Sequence, residues 1–169
     1  MSMTELIFIR HGETDWNRAR RFQGCIDIAL NATGLEQARH TADRLQDHRL
    51  AAVYSSHLGR ARETARPIAE ALGLAVAIEP ELRERSYGAF EGQTHDELLR
   101  NHPEAYQRWR DRVPDYELPG GGESLVALRA RVRADAPARE APRGTDCGGG
   151  DPRRRARFNL PHCLGAGRR

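Results

Sequence analysis

The first residues in the chain that could do chemistry are Arg10 and His11, which stand side by side directly after an apolar run at residues 6–9. Guanidinium groups such as those of Arg10 and Arg62 bind phosphate oxygens as two-pronged forks. A neutral imidazole attacks phosphorus when a backbone carbonyl holds its other ring nitrogen. Glu84 could then protonate the leaving oxygen. These residue types predict phosphoryl transfer, with His11 as a nucleophile that becomes transiently phosphorylated.

Short apolar runs alternate with helical patterns along the first part of the chain. Residues 6–9 and 51–54 are predicted to form strands buried in a parallel sheet, and Val76 and Ile78 to form a third. Helices are predicted to begin near Thr33, Leu58, Thr94, Pro103 and Ser124. Because strands alternate with helices, we expect a three-layer α/β/α fold with a mainly parallel sheet and helices on both faces. The pair Arg10 and His11 then lies at the carboxyl edge of the sheet, where ligands bind in such folds.

Four stretches carry a set of motifs: LIFIRHGETDWN at residues 6–17, RFQG followed by LNATGLEQA at 21–38, YSSHLGRARETA at 54–65, and LRERSYGAFEG at 82–92. In order and spacing they resemble the histidine phosphatase superfamily, the phosphoglycerate mutase-like proteins. The resemblance reaches from Leu6 to about Val132. It implies the α/β fold of that family and a phosphohistidine intermediate.

The resemblance also implies a role for each matching residue. His11 accepts the phosphoryl group, and Glu84 donates the proton to the leaving group. Four residues bind the phosphate of the substrate: Arg10, Asn17, Gln23 and Arg62.

Hydrolysis and mutase chemistry share the phosphohistidine and differ in whether water or a second hydroxyl takes the phosphoryl group. The cofactor-dependent mutases of the family have a long insertion after the Tyr-Gly segment. Here residues 87–88 lead quickly to residues 119–124, which resembles the compact phosphatases. We therefore predict hydrolysis of a small phosphorylated metabolite. A phosphoglycerate mutase and a catalytically inactive phosphate-binding remnant remain as alternatives.

The composition changes after residue 132. Residues 133–169 carry nine Arg against four Asp and Glu, and their only large apolar side chains are Phe158, Leu160 and Leu164. We predict two regions, an incomplete histidine phosphatase domain at 1–132 and an aberrant tail at 133–169 with the composition of a disordered segment and no convincing strand or amphipathic helix. The family's late Thr-His-Gly-Gly segment has no match. The C-terminal strand and helix of the fold are therefore predicted to be missing, and the activity to be impaired by the loss of the second histidine.

A frameshift is our hypothesis for the tail. Reading residues 146–163 one base forward permits the sequence IAVVVTHGGVLDLIYRIA, which contains the missing strand and the missing histidine motif. The slip would lie between Val132 and Asp146. The sequence gives no geometric reason for His162 to replace the missing histidine.

The overall composition bears on several other classes of protein. No apolar stretch is long enough to cross a membrane, and no signal peptide is recognisable at the N-terminus. Three cysteines without metal-like spacing predict a reduced cytoplasmic compartment. The spacings of His, Cys and carboxylate residues match no metal-ligand pattern and the phosphohistidine mechanism needs no metal, so neither a metal site nor a cofactor is expected. The arginine-rich tail could bind nucleic acid, but it lacks interleaved aromatic residues, so no nucleic-acid partner is expected. The oligomeric state stays open.

Overall fold

A computed structural model describes residues 6–134 and 155–158 of the chain. Its strands are β1 (Leu50–Ser55), β2 (Val76–Ile78) and β3 (Arg155–Phe158), and both neighbours of β1 run parallel to it. Val53 pairs with Val76 on one side and with Arg157 on the other. The predicted α/β class with a parallel sheet is confirmed.

The described part of the chain also contains six α-helices and two short 3₁₀ turns. The helices are α1 (Asp15–Arg18), α2 (Ala32–Leu45), α3 (Gly59–Ala71), α4 (His95–Asn101), α5 (Pro103–Arg110) and α6 (Leu125–Ala134), with 3₁₀ turns at Pro80–Leu82 and Gly88–Phe90.

Local signals fix most of these boundaries. Thr94 begins α4 with a full capping box, in which its hydroxyl accepts from Glu97 N–H and the Glu97 carboxylate accepts from Thr94 N–H. Pro103 occupies the first turn of α5, where its missing N–H costs nothing. One predicted boundary was wrong, because α2 begins at Ala32 with Asn31 as its N-cap rather than near Thr33. Asparagine is among the strongest N-cap residues, so it takes precedence over a threonine two positions later.

The apolar run at residues 6–9 is not a strand in the structure, contrary to the prediction. Ile7 and Ile9 pack against the core between α2, β1 and α3, but Phe8 points the other way and is 52% exposed. A strand exists through hydrogen bonds to a neighbour, and no backbone bond joins residues 6–10 to the rest of the described chain. The run is therefore extended and buried on one face only.

Residues 133–169 were predicted to hold no strand, yet β3 lies within them and pairs with β1. The composition misleads here because parallel pairing needs only backbone N–H and C=O groups, which the second edge of β1 offers. Helix α6 also continues to Ala134, past the boundary predicted after residue 132. The frameshift hypothesis, His162 and the two cysteines at 147 and 163 concern residues outside the described ranges.

Two apolar clusters hold the described fold together. The first joins α2, α3 and β1 through Ala42, Leu45, Val53, Ala65, Ile68 and Ala69. The second surrounds Phe90, which is fully buried, and joins α4 and α5 to the loops beside them. Within residues 6–134 and 155–158, no helix is long and apolar enough to span a membrane.

Candidate active site

A close backbone approach shapes the turn that carries His11. A Cβ placed on Gly12 would lie 2.3 Å from the carbonyl oxygen of Gly34, and a Cβ on Gly34 would lie 2.1 Å from that of Glu13. Only glycine fits at both positions. The turn is also tied to the start of α2, because Asn31 N–H donates to the Glu13 carbonyl and Glu13 N–H donates to the Gln37 side chain.

The ring of His11 is held in one tautomer. Its Nδ1 lies 2.7 Å from the carbonyl oxygen of Gly12, and because a carbonyl only accepts, Nδ1 must carry the proton. The lone pair is then on Nε2. Burial, together with the charges of Arg60 and Arg10, lowers the pKa of His11 to about 4, although the bond to Gly12 opposes this. The ring is neutral at physiological pH.

A chain of buried hydrogen bonds links the His11 turn to helix α3. Gly12 N–H donates to the hydroxyl of Thr64, which in turn donates to the carbonyl oxygen of Arg60, at 3.0 and 2.8 Å. Arg60 is 1% exposed, and its terminal nitrogens donate to the carbonyl oxygens of Ile26 and Gly24, both at 2.7 Å. Desolvation lowers the pKa of Arg60, and the carboxylate of Glu84 opposes that shift.

Arg60, and not Arg62, is the α3 arginine that acts electrostatically on His11. Arg62, which the sequence analysis assigned to phosphate binding, is exposed on the surface of α3. The reason is helical geometry, because residues 60, 64 and 68 share one face and two positions later the helix has turned by more than half a circle. Arg60, Thr64 and Ile68 are all buried. That spacing was the signal in the sequence that could have identified Arg60.

Glu84 lies in an extended segment between the two 3₁₀ turns. Its carboxylate accepts from Arg85 N–H at 2.9 Å, and its carbonyl oxygen accepts a long bond from Cys25 Sγ at 3.6 Å. The charge of Glu84 raises the pKa of Arg60, and the charge of Arg60 lowers that of His11, so Arg60 interacts electrostatically with both residues. Desolvation raises the pKa of the Cys25 thiol, which makes it a weak nucleophile.

Asn17 and Gln23, both predicted to bind phosphate, have different surroundings. Asn17 closes a capping box on α1, in which its Oδ1 accepts from Thr14 N–H and its own N–H donates to the Thr14 hydroxyl, both at 3.1 Å. The cap leaves the Nδ2 group unused. Gln23 is 8% exposed, and its Oε1 and the Nε of Arg60 are the two buried side-chain polar atoms of the described residues that lack a hydrogen-bond partner.

An open cavity of about 380 Å³ lies beside His11. It is lined by Arg10, His11, Gly12, Glu13, Asn17, Gln37, Ala38, Thr41 and Thr64. Arg60, Gln23 and Glu84 are not among its lining residues. Arg60 is linked to the His11 turn through Thr64 and Gly12. Among the described residues, no group of three or more His, Cys, Asp and Glu side chains is arranged to hold a metal ion.

Comparison with known proteins identifies the family. The model of the histidine phosphatase superfamily, branch 1, matches residues 6–138. The chain belongs to the histidine phosphatase superfamily. The resemblance drawn from the four sequence stretches is thereby confirmed.

Relatives within the histidine phosphatase superfamily carry both phosphatase and mutase names. The chain is 45% identical over 131 residues to the metal-independent phosphoserine phosphatase of Arabidopsis thaliana and 43% identical over 129 residues to phosphoglycerate mutase-like protein 4 of the same plant. These matches take up 76% and 75% of this chain but only 55% and 56% of the relatives. The chain thus spans little more than half the length of these relatives.

Solved structures of the superfamily agree with the fold. A mycobacterial glucosyl-3-phosphoglycerate phosphatase superposes with a TM-score of 0.78 at 34% sequence identity. The superposition covers 93% of this chain and 73% of that one.

Proposed function

We propose that this chain hydrolyses phosphomonoesters through a phosphohistidine intermediate on His11. The observation that carries the proposal is the state of the His11 ring. Its Nδ1 is bound to the Gly12 carbonyl and its pKa of about 4 keeps the ring neutral, so Nε2 presents its lone pair without a prior proton loss. A histidine with an ordinary pKa of about 6.5 would be protonated in part of the molecules near neutral pH, and a free ring would first have to be oriented.

In this proposal Arg10 and Arg60 bind the phosphoryl oxygens. Arg10 lines the cavity beside His11, and both guanidinium groups act on the pKa of that histidine. The Nε of Arg60, a buried donor without a hydrogen-bond partner, supports an anionic ligand, because buried polar groups without a partner are rare and require an explanation. The Oε1 of Gln23 also lacks a partner, and as an acceptor it would bind a hydroxyl group of the substrate rather than the phosphate. Asn17 would add its Nδ2 group. Arg60 replaces Arg62 in this set.

The reaction would run in two steps. First, Nε2 of His11 attacks phosphorus, the bond from phosphorus to the leaving oxygen breaks, and Glu84 in its carboxyl form gives that oxygen its proton. Second, water attacks the phosphohistidine while the Glu84 carboxylate takes a proton from the water, and the nitrogen–phosphorus bond breaks. Inorganic phosphate leaves, and both residues return to their starting states.

The substrate class we propose is a small phosphorylated metabolite. The volume of about 380 Å³ lies within the range of small-molecule pockets. The short connection between Gly88 and Ser124 supports hydrolysis over the mutase reaction, although names of both kinds occur among the relatives. The expectation of a cytoplasmic location rests on the cysteine count and stays a prediction.

The first experiment measures phosphate release and phosphohistidine together. The purified chain is mixed with a radiolabelled phosphomonoester and quenched in alkali, which preserves phosphohistidine. We expect label on the protein and release of phosphate, both abolished by His11→Asn and both retained by His57→Asn, a change at an exposed histidine. Label that persists in His11→Asn would contradict the proposal.

A matched pair of arginine variants tests the phosphate site. Arg60→Met should lower kcat/KM about 100-fold or more, the loss typical of removing a buried donor to transition-state charge. Arg62→Met, two positions along α3 and exposed, should change it less than about twofold. Transfer of label to a second hydroxyl of the substrate instead of water would favour the mutase. Stabilisation by phosphate without any turnover would favour the inactive remnant.

A further inference from the structure

Arg131 of α6 makes a dense set of hydrogen bonds beneath the segment that carries Glu84. Its Nε and one terminal nitrogen donate to the two carboxylate oxygens of Glu123 at 2.9 and 2.8 Å, a bidentate pair. Its other terminal nitrogen donates to the backbone carbonyl oxygens of Glu81 and Arg83. The side chains of Arg131 and Glu123 are only 7% and 12% exposed.

The backbone of Glu123 bonds the two residues that follow Glu84. Its N–H donates to the carbonyl oxygen of Ser86 at 2.8 Å, and its own carbonyl oxygen accepts from Nε of Arg85 at 2.7 Å. Glu123 thus holds residues that follow Glu84 in the chain, whereas Arg131 holds the carbonyls of Glu81 and Arg83, which precede it. The carbonyl of Arg83 belongs to the same planar peptide group as the Glu84 N–H, so holding one fixes the orientation of the other.

The segment between the two 3₁₀ turns has no helix or sheet of its own to hold it, because residues 83–87 are neither helix nor strand. Burying an ion pair is a weak way to stabilise a fold, since desolvation of both charges offsets most of the attraction. Burial raises the pKa of Glu123, but the bonds and charges of Arg131 outweigh this and keep the carboxyl ionised. An apolar contact would have stabilised the docking of α6 at lower cost. Instead, the ion pair of Arg131 and Glu123 holds the backbone in place on both sides of Glu84.

We infer that Arg131, together with Glu123, is a positioning residue that holds Glu84 where it can protonate the leaving oxygen. The inference rests on the proposed function, in which Glu84 is the proton donor. Arg131 touches neither substrate nor the reacting atoms, and it acts through the backbone of the Glu84 segment. Its loss should therefore affect reactions that need a proton donor more than reactions that do not.

The test compares two substrates in each variant. An alkyl phosphate has a poor leaving group that must be protonated as it departs, whereas 4-nitrophenyl phosphate releases a stable phenolate. The readout is the ratio of kcat/KM for the two substrates. This ratio does not depend on how much of a variant is folded, because both values scale with the same concentration of active protein.

We expect Arg131→Met to lower the alkyl-to-aryl ratio at least about tenfold, which is part of the about 100- to 10,000-fold that a general acid contributes in full. Glu84→Gln gives the reference loss. Arg131→Lys should rescue little, because an ammonium group cannot bind both carboxylate oxygens and the two carbonyls at once. The matched control is Arg21→Met, since Arg21 also bonds a carboxylate and a carbonyl, those of Glu97 and Gly92, away from the Glu84 segment.

An unchanged ratio in Arg131→Met, alongside a reduced ratio in Glu84→Gln, overturns the inference and leaves the proposed function standing. If Glu84→Gln also leaves the ratio unchanged, Glu84 is not the proton donor, and the inference fails with that part of the proposal. If the unmutated chain turns over neither substrate, the proposed function fails first. An equal fall of the ratio in Arg21→Met would also overturn the inference, because the effect would not be specific to the Glu84 segment.

Discussion

Acidification should destabilise the folded chain through His11. The folded pKa of this residue is about 4, against 6.5 for an unperturbed histidine, and desolvation is the main cause. Between these two values the unfolded chain binds a proton that the folded chain does not. The free energy of unfolding therefore rises with pH through this window. The contribution of His11 is complete above the unfolded pKa and is lost as the pH falls towards the folded one.

The size of the effect follows from the same two values. A difference of one pKa unit corresponds to about 1.4 kcal/mol, so the whole shift is worth about 3 kcal/mol. Between about pH 7 and pH 4.5 most of that window is crossed, and the expected loss is about 2 kcal/mol. Carboxyls contribute at the acid end of this window, because those of Glu13 and Glu123 have folded pKa values below their usual range and therefore take up protons more readily in the unfolded chain. A comparison with a variant that lacks His11 removes their contribution.

The assay is urea unfolding followed by the fluorescence of Trp16 and Trp109, the two tryptophans of the chain. The unmutated chain should lose about 2 kcal/mol more than His11→Asn when the pH falls from about 7 to 4.5. With an m-value of about 2 kcal/mol per molar urea, that is a difference of about 1 M in midpoint. His57→Asn, at an exposed position, should behave like the unmutated chain. Equal pH dependence in His11→Asn and the unmutated chain would refute the reasoning about the desolvated ring.

Further predictions concern the backbone around the site and are checked by thermal or urea unfolding. Gly34→Ala should cost about 3 kcal/mol or more, because its Cβ would lie 2.1 Å from a backbone oxygen, whereas Gly73→Ala, with a φ of +64° and open space around it, should cost about 1 kcal/mol. Equal losses would contradict the close approach. Thr64→Val should cost about 1–3 kcal/mol, because it leaves the buried N–H of Gly12 without its acceptor, and Thr64→Ser, which keeps the hydroxyl, should cost less. Phe90→Ala should cost about 3–5 kcal/mol, since its ring is fully buried in the second cluster.

The parts of the fold that could be predicted are those with local causes. The capping box at Thr94, the proline that opens α5 and the glycine in a left-handed conformation after α3 each act within a few residues. A strand was predicted at residues 51–54 from their unbroken apolar character, and β1, at Leu50–Ser55, lies there at the centre of the sheet. For the capping box, the proline and the glycine, neighbouring residues supply the whole physical reason for the structure.

The parts that could not be predicted depend on distant partners. Residues 6–9 have the same apolar character as β1, but a strand also needs a neighbour, and none of the described strands pairs with them. Strand β3 is the converse, because a segment of unpromising composition pairs with an edge that β1 supplies. An apolar pattern indicates that a segment is buried, whereas a strand is defined by backbone hydrogen bonds to a neighbouring strand. A buried apolar segment is therefore a strand only when such a neighbour pairs with it.

The position of Arg60 shows why one part of the candidate site was missed and what its geometry means. Arginine is rarely buried, so an arginine in an amphipathic helix is normally assigned to the outer face. Arg60 is buried because two of its nitrogens bond the carbonyls of Gly24 and Ile26, while its Nε has no partner among the described residues. A residue selected for stability alone would complete that third bond or be replaced by an apolar side chain, because an unsatisfied buried donor costs about 1–3 kcal/mol. In the proposed function, the unpaired Nε of this buried cation, beside a histidine that is kept neutral, is explained by an anion that binds and leaves.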